Sequence, residues 1–133
     1  SLGKHLLTRV SDIMRTGAAM ATVPTKSLVQ DAVLAMLECR AGAAIFVNPD
    51  DSLAGIFTHG DFVRGYQSNR EIGDSTISSH MTTTPVTVQE NDLAVEVIKI
   101  LRENRIDDLI VLNDRMQVVG LVDVQDLSRQ GLA

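Results

Sequence analysis

The chain repeats itself. Gly55-Ile56-Phe57-Thr58-His59-Gly60-Asp61 returns as Gly120-Leu121-Val122-Asp123-Val124-Gln125-Asp126, 65 positions later (55 to 120, 61 to 126). A fixed internal offset marks a duplicated supersecondary unit. Each half has about 60 residues, a size at which an isolated domain is marginal because it buries too little of its surface. Two halves packed sheet to sheet about a pseudo-twofold axis solve that problem. The expected product is an α+β fold with equivalent clefts where the halves meet.

The elements follow from the patterning. Leu6, Leu7, Val10, Ile13 and Met14 recur at helical spacing and predict an amphipathic lead-in helix ending near Met14. Ala21 to Val23 is a short extended piece, and Pro24 biases its neighbour the same way. Ser27 and Gln30 have capping-box spacing ahead of a helix whose apolar face is Leu28, Ala32, Ala35, Met36 and Cys39; Gly42 is the expected stop. The apolar run Ala43 to Val47 suits a strand buried on both faces. Asn48-Pro49-Asp50-Asp51 is a turn, Leu53 to Phe57 the next strand, and Asp61 to Tyr66 a short helix. Polar residues 67–76 read as a linker.

The order then recurs. Ile77 to Met81 answers Val10 to Met14, and Val86 to Val88 answers the first strand. Asp92 takes the cap position of Ser27 before a helix face of Leu93, Val97, Ile100 and Leu101. Leu109 to Leu112, the turn Asn113-Asp114, Val118 to Val122 and a closing helix Asp126 to Arg129 complete the second half. Each half is therefore β-α-β-β-α. The expected boundaries are 1–17 for the lead-in, 18–66 for the first repeat, 67–76 for the linker and 77–133 for the second repeat.

Bulk properties exclude several functions. A net charge of −5 and 3% aromatic residues leave neither a basic face nor a stacking platform for nucleic acid. No apolar run approaches the ~20 residues of a membrane span. Cys39, the single cysteine, rules out an internal disulfide and suits the cytoplasm. Ser1 leads straight into the domain without a signal peptide, and the missing Met points to a piece of a longer chain. His5, His59 and His80 lack ligand spacing, so no metal site is expected. No acid–base or nucleophile constellation is present, and no catalytic residue is assigned.

Thr58 stands where a strand hands over to a helix, a junction whose free N–H groups favour an anion. Its hydroxyl could donate to a phosphate, and Asp61 could accept from a ribose diol. The competing reading is a helix cap, with Thr58 as N-cap and Asp61 in the first turn.

The repeat resembles a pair of cystathionine-β-synthase (CBS) domains, a regulatory Bateman module. Ser11-Asp12-Ile13-Met14 and Ser78-Ser79-His80-Met81 precede the first strands, and Gly-x-x-Thr-x-x-Asp and Gly-x-x-Asp-x-x-Asp close the halves. From Gly3 to Gly17 the lead-in is similar to that of the CBS pair at the C-terminus of bacterial D-arabinose-5-phosphate isomerases. That resemblance implies a non-catalytic fragment whose parent carries an N-terminal sugar-isomerase domain. It implies a homodimer through the CBS helices and a place in lipopolysaccharide (Kdo) carbohydrate metabolism. It implies no required cofactor, but an adenine nucleotide or the sugar nucleotide CMP-Kdo as possible ligand. The family pattern carries Thr58, His59 and Asp61 into one cleft with Thr82, Thr83, Thr84, Ile106 and Asp107. A weaker second cleft takes Asp126 and Asp123 with Thr22, Ala41 and Gly42. Asp123 departs from the family's Thr or Ser and would repel phosphate, so the second cleft is expected to be empty or to bind a different group. The alternative function is structural: an assembly module without a ligand.

Overall fold

The computed structural model describes residues 6–132. The chain divides into two compact units that do not follow its linear order. A middle unit runs from Ala18 to Pro85, and a terminal unit joins the chain up to Gly17 with the chain from Val86 onward.

In the middle unit, β1 (Ala21–Thr22), β2 (Ala43–Val47) and β3 (Leu53–Thr58) form a sheet in the order β1-β2-β3. β1 pairs parallel with β2, which pairs antiparallel with β3. A parallel pair needs a crossover, and α2 (Val29–Cys39) supplies it. α3 (His59–Ser68) follows β3 without a loop. Ala44, Phe46 and Phe57 pack with Val29, Ala32 and Met36 in an apolar core that Cys39 borders.

The terminal unit repeats the plan: β4 (Thr87–Gln89), α4 (Ala94–Asn104), β5 (Asp108–Leu112), β6 (Val118–Asp123) and α5 (Val124–Arg129). Its sheet order is β4-β5-β6, with the same parallel and antiparallel pairings. The duplication extends to backbone detail. A register shift falls at Phe46/Val47 and again at Val111/Leu112. Left-handed residues stand at Arg40 and Asp51, and 65 positions on at Arg105 and Met116.

Several local expectations are corrected. The lead-in is not one helix. Leu6 and Leu7 are helical, Thr8 and Arg9 interrupt, and α1 covers Val10–Ile13. Arg9 bridges Leu93 instead, and Ala94 N–H donates to Thr8 O at 2.9 Å, so the interruption is where the lead-in joins α4. Ser27 does not cap α2. Leu28 is the boundary residue, and Asp31 Oδ2 accepts from Leu28 N–H at 2.9 Å. An ionised carboxylate is the stronger acceptor there, while Ser27 O is engaged by Ile77 N–H at 2.9 Å. Asp92 likewise accepts from Gln89 N–H at 2.9 Å rather than capping α4, which starts after Leu93. Gly42 does not end α2; Arg40 does, at φ 51°, with Ala41 N–H closing onto Met36 O at 2.9 Å.

The polar stretch 67–76 folds onto the middle unit. A 3-10 turn at Ile72–Asp74 buries Ile72 against Gly65, where a Cβ would collide with it. Met81 lies over Gly55, and Thr82 exchanges two hydrogen bonds with Ile56 at 2.8 and 2.9 Å. In the terminal unit Met14 lies over Gly120, and Arg15 exchanges the same pair of bonds with Leu121 at 2.8 and 3.1 Å. Each methionine of the resemblance thus seats on a strand glycine.

Candidate functional site

The junction between β3 and α3 sets the first candidate site. Thr58 is extended (φ −103°, ψ 165°), as an N-cap must be, and its Oγ1 accepts from Asp61 N–H at 3.1 Å. Asp61 Oδ2 returns the bond from Thr58 N–H at 2.9 Å, completing a capping box. The cap reading and the ligand reading use different lone pairs. Thr58 accepts through oxygen, so its hydroxyl proton remains available to donate. Each Asp61 oxygen carries one contact, to Thr58 N–H and to the Arg64 guanidinium at 2.7 Å, and retains a further acceptor position. The Arg64 side chain is 71% exposed, so that ion pair is weak and exchangeable.

His59 is exposed, and its N–H donates to Gly42 O at 2.9 Å. This fixes Gly42 and the buried Ala41 beside the start of α3. Thr22 is exposed at the end of β1. Thr82, Thr83 and Thr84 are exposed as well, with Thr82 bonded to the edge of β3. All of these belong to the middle unit.

Ile106, Asp107, Asp123 and Asp126 belong to the terminal unit. Asp107 O accepts from Val124 N–H at 3.1 Å, the counterpart of the Gly42–His59 bond. Ile106 and Asp107 also line a groove of about 500 Å³ walled by Leu101, Val124 and Leu127.

The β6–α5 junction has the same backbone and different chemistry. Asp123 replaces Thr58 and forms the same reciprocal box, accepting from Asp126 N–H at 2.7 Å and bonded through its own N–H to Asp126 at 3.2 Å. Arg15 lies across both carboxylates. Its Nε donates to Asp126 Oδ1 and Oδ2 at 3.1 and 3.0 Å, and an NH2 group reaches Asp123 Oδ2 at 3.1 Å. The Arg15, Asp123 and Asp126 side chains are 11%, 8% and 9% exposed. Arg129 adds a contact to Asp126 Oδ1 at 3.2 Å, as Arg64 does to Asp61.

Asp108 faces Asp123 across the β5–β6 pair, and its buried Oδ1 has no hydrogen-bond partner. Burial, then the charges of Asp123 and Asp107, push its carboxyl up to about 7, against the pull of Arg15. Asp123 is also raised, by burial first. Burial works to lower Arg15, but the hydrogen bond to Asp126 and the charges of Asp123, Asp126 and Asp108 outweigh it, and the net shift is upward.

Arg15 and Asp108 escape a reading by motif. The signal was present in the repeat: Arg15 aligns with Thr82, Asp108 with Ala43 and Asp123 with Thr58. Three uncharged positions of one half are charged in the other. His5 lies outside the described residues. Among the described residues no cluster of His, Cys, Asp or Glu could hold a metal ion, and no helix is long and apolar enough to cross a membrane.

A family model described as the CBS domain matches residues 10–68 and again 75–132. An arabinose 5-phosphate isomerase KdsD of Yersinia pestis is 32% identical over 132 residues, 99% of this chain and 40% of that protein. The chain thus spans about two fifths of the curated relatives' length. Among solved structures, an uncharacterised conserved protein from Pyrococcus horikoshii superposes with a TM-score of 0.83 at 23% identity, over 96% of this chain and 95% of the other. The CBS domain pair of protein MJ0100, in complex with 5'-methylthioadenosine and S-adenosyl-L-methionine, gives 0.82 at 24% identity, over 93% and 99%.

Proposed function

From the premise that the chain belongs to the CBS-domain family, as a tandem pair, we propose that it is a non-catalytic regulatory module that binds a nucleotide or nucleotide-sugar through Thr58 and Asp61. The supporting observation is the β3–α3 junction. Thr58 retains a hydroxyl proton for a phosphate, and the Asp61 carboxylate is held by the capping box with acceptor capacity to spare for a ribose diol. The Asp61 side chain is 18% exposed, against 9% for Asp126 beneath Arg15. Arg64, exposed and weakly held, can turn from Asp61 to a phosphate. The exposed threonines 82–84 extend the polar surface on the same unit. The adenosine ligands of the MJ0100 pair support the ligand class, and the kinship with KdsD supports a parent sugar-phosphate isomerase with an N-terminal catalytic domain. CMP-Kdo is the second ligand candidate, as an end product that would report on such an enzyme's flux. Regulation follows if the ligand binds two states of the parent with different affinity.

A thermal-shift titration of the 133-residue chain tests this reading, with AMP, ADP, ATP, S-adenosylmethionine, CMP and CMP-Kdo as the panel. A ligand at 100 times its dissociation constant adds about 2.7 kcal/mol, several degrees for a domain of this size. The expected result is a saturable shift with one class of nucleotide that Asp61→Ala removes. A shift of equal size in Asp61→Ala overturns the site.

A second reading, assembly, is favoured by the exposed apolar residues of the middle unit. Leu34 and Leu37 on α2 are 56% and 73% exposed, and Val63 and Tyr66 on α3 are 45% and 42% exposed. Each pair is spaced three apart and shares a helix face. Their repeat counterparts are Lys99, Arg102, Ser128 and Gly131. A dimer through these helices should dissociate when Leu34 and Leu37 are both changed to Lys. Sedimentation equilibrium reads the outcome, and an unchanged mass contradicts it.

A further inference from the structure

In the terminal unit, the position that corresponds to the Thr58/Asp61 site is already filled from within the chain. Arg15 directs Nε at both oxygens of Asp126 and an NH2 group at Asp123. All three side chains are close to nine-tenths buried. The backbone around Arg15 is fixed independently of its side chain, since Arg15 N–H and O both bond to Leu121 on β6 at 2.8 and 3.1 Å. The guanidinium is thus delivered to the carboxylates by a strand bridge. At the matching bridge, Ile56–Thr82, the residue is a threonine too short to span the same distance. The three charged departures, Arg15, Asp108 and Asp123, compensate one another in sign: one cation among carboxylates at positions that are uncharged in the other half. The fork geometry of arginine fits such a set better than a lysine point charge would.

We propose that Arg15 is a specificity residue: its guanidinium is the built-in occupant of the Asp123–Asp126 position and keeps that junction from taking the ligand read by Thr58 and Asp61. The occupancy stands on the terminal unit alone; the exclusion of ligand rests on the function proposed above. Each Asp126 oxygen accepts two hydrogen bonds, Oδ1 from Arg15 and Arg129 and Oδ2 from Arg15 and Asp123 N–H, so neither keeps the acceptor position that Asp61 offers a ribose diol, and Asp123 repels a phosphate. The module then takes one nucleotide per chain.

Two measurements test this, and they fail separately. In the first, Arg15→Ala is titrated with methylguanidinium chloride up to about 20 mM, far below denaturing concentrations, with sodium chloride as the control. The vacated position should accept the free cation. The expected result is a saturable rise in melting temperature in Arg15→Ala that the unsubstituted chain does not show. Arg15→Met, which keeps the volume of the stem, serves the same titration if the alanine variant does not fold. Equal responses in the variant and the unsubstituted chain, or no response in the variant that folds, overturn the proposal whatever the nucleotide result. In the second, the combined substitution R15T/D108A/D123T restores the uncharged pattern of the other half. The expected nucleotide stoichiometry rises from one to two, and a stoichiometry that stays at one overturns the specificity role. If the unsubstituted chain binds no nucleotide, the function proposed above fails, while the methylguanidinium titration still decides the occupancy.

Discussion

Asp108 gives the terminal unit a pH-dependent stability. Its carboxyl is raised from 3.8 to about 7 by burial and by Asp123 and Asp107, with Asp126 adding and Arg15 opposing. In the interval between those values the folded chain holds a proton that the unfolded chain has released. Stability from this group therefore falls as pH rises through that window and is flat above it. The loss is on the order of 4 kcal/mol, since each pH unit between the two values is worth about 1.4 kcal/mol. Asp108→Ala, the residue found at the aligned position 43, should be more stable than the parent at pH 8 and closer to it at pH 4. Urea unfolding at the two values measures the difference, and parallel losses in the two proteins contradict the account. Motif reading could not find this residue. Asp107-Asp108 reads as a pair of solvated turn residues in sequence, and only strand pairing brings Asp108 opposite Asp123.

At the scale of elements, the central strands were legible as short continuous apolar runs and the two long helices by their period: Ala43 to Val47 is the central strand of its sheet, and Leu109 to Leu112 repeats it. Ends were less legible, because they depend on which of several polar groups reaches a free N–H. The start of α2 falls at Leu28, whose N–H donates to Asp31, one residue beyond the cap expected at Ser27. Asp31→Ala should cost about 1 kcal/mol and Ser27→Ala less than about 0.5 kcal/mol. Chemical denaturation ranks them, and the reverse order contradicts the assignment. The methionine seats were legible as motif and not as contact. A Cβ on Gly55 would stand 2.7 Å from Met81 Sδ and 3.0 Å from Thr82 O. Gly55→Ala should cost about 1–3 kcal/mol through overpacking. Combined with Met81→Ala it should cost less than the sum of the two, because the smaller side chain admits the methyl group. Strict additivity would show that the two residues do not meet.

At the scale of the whole molecule, duplication has produced two junctions with one backbone and two chemistries. The capping box is common to both, so the β-to-helix turn is kept by local hydrogen bonds whatever else the site does. What differs is the group opposite it. A threonine follows Met81, and an arginine follows Met14. The repeat, its offset and the Asp123 departure were visible in sequence; the reason Asp123 is tolerated was not, because Arg15 lies 108 positions away. On the function proposed above, the Thr58/Asp61 junction meets a ligand, while the Asp123/Asp126 junction holds the chain's own Arg15.

The most direct measurement is a calorimetric titration of the 133-residue chain with the nucleotide that gives the largest thermal shift, repeated on Asp61→Ala. The substitution also removes half of a capping box, at about 1 kcal/mol, so binding is scored on protein shown to be folded at the titration temperature. The account predicts one nucleotide per chain, lost in Asp61→Ala. Two nucleotides per chain, or one whose affinity is untouched by the substitution, would contradict it.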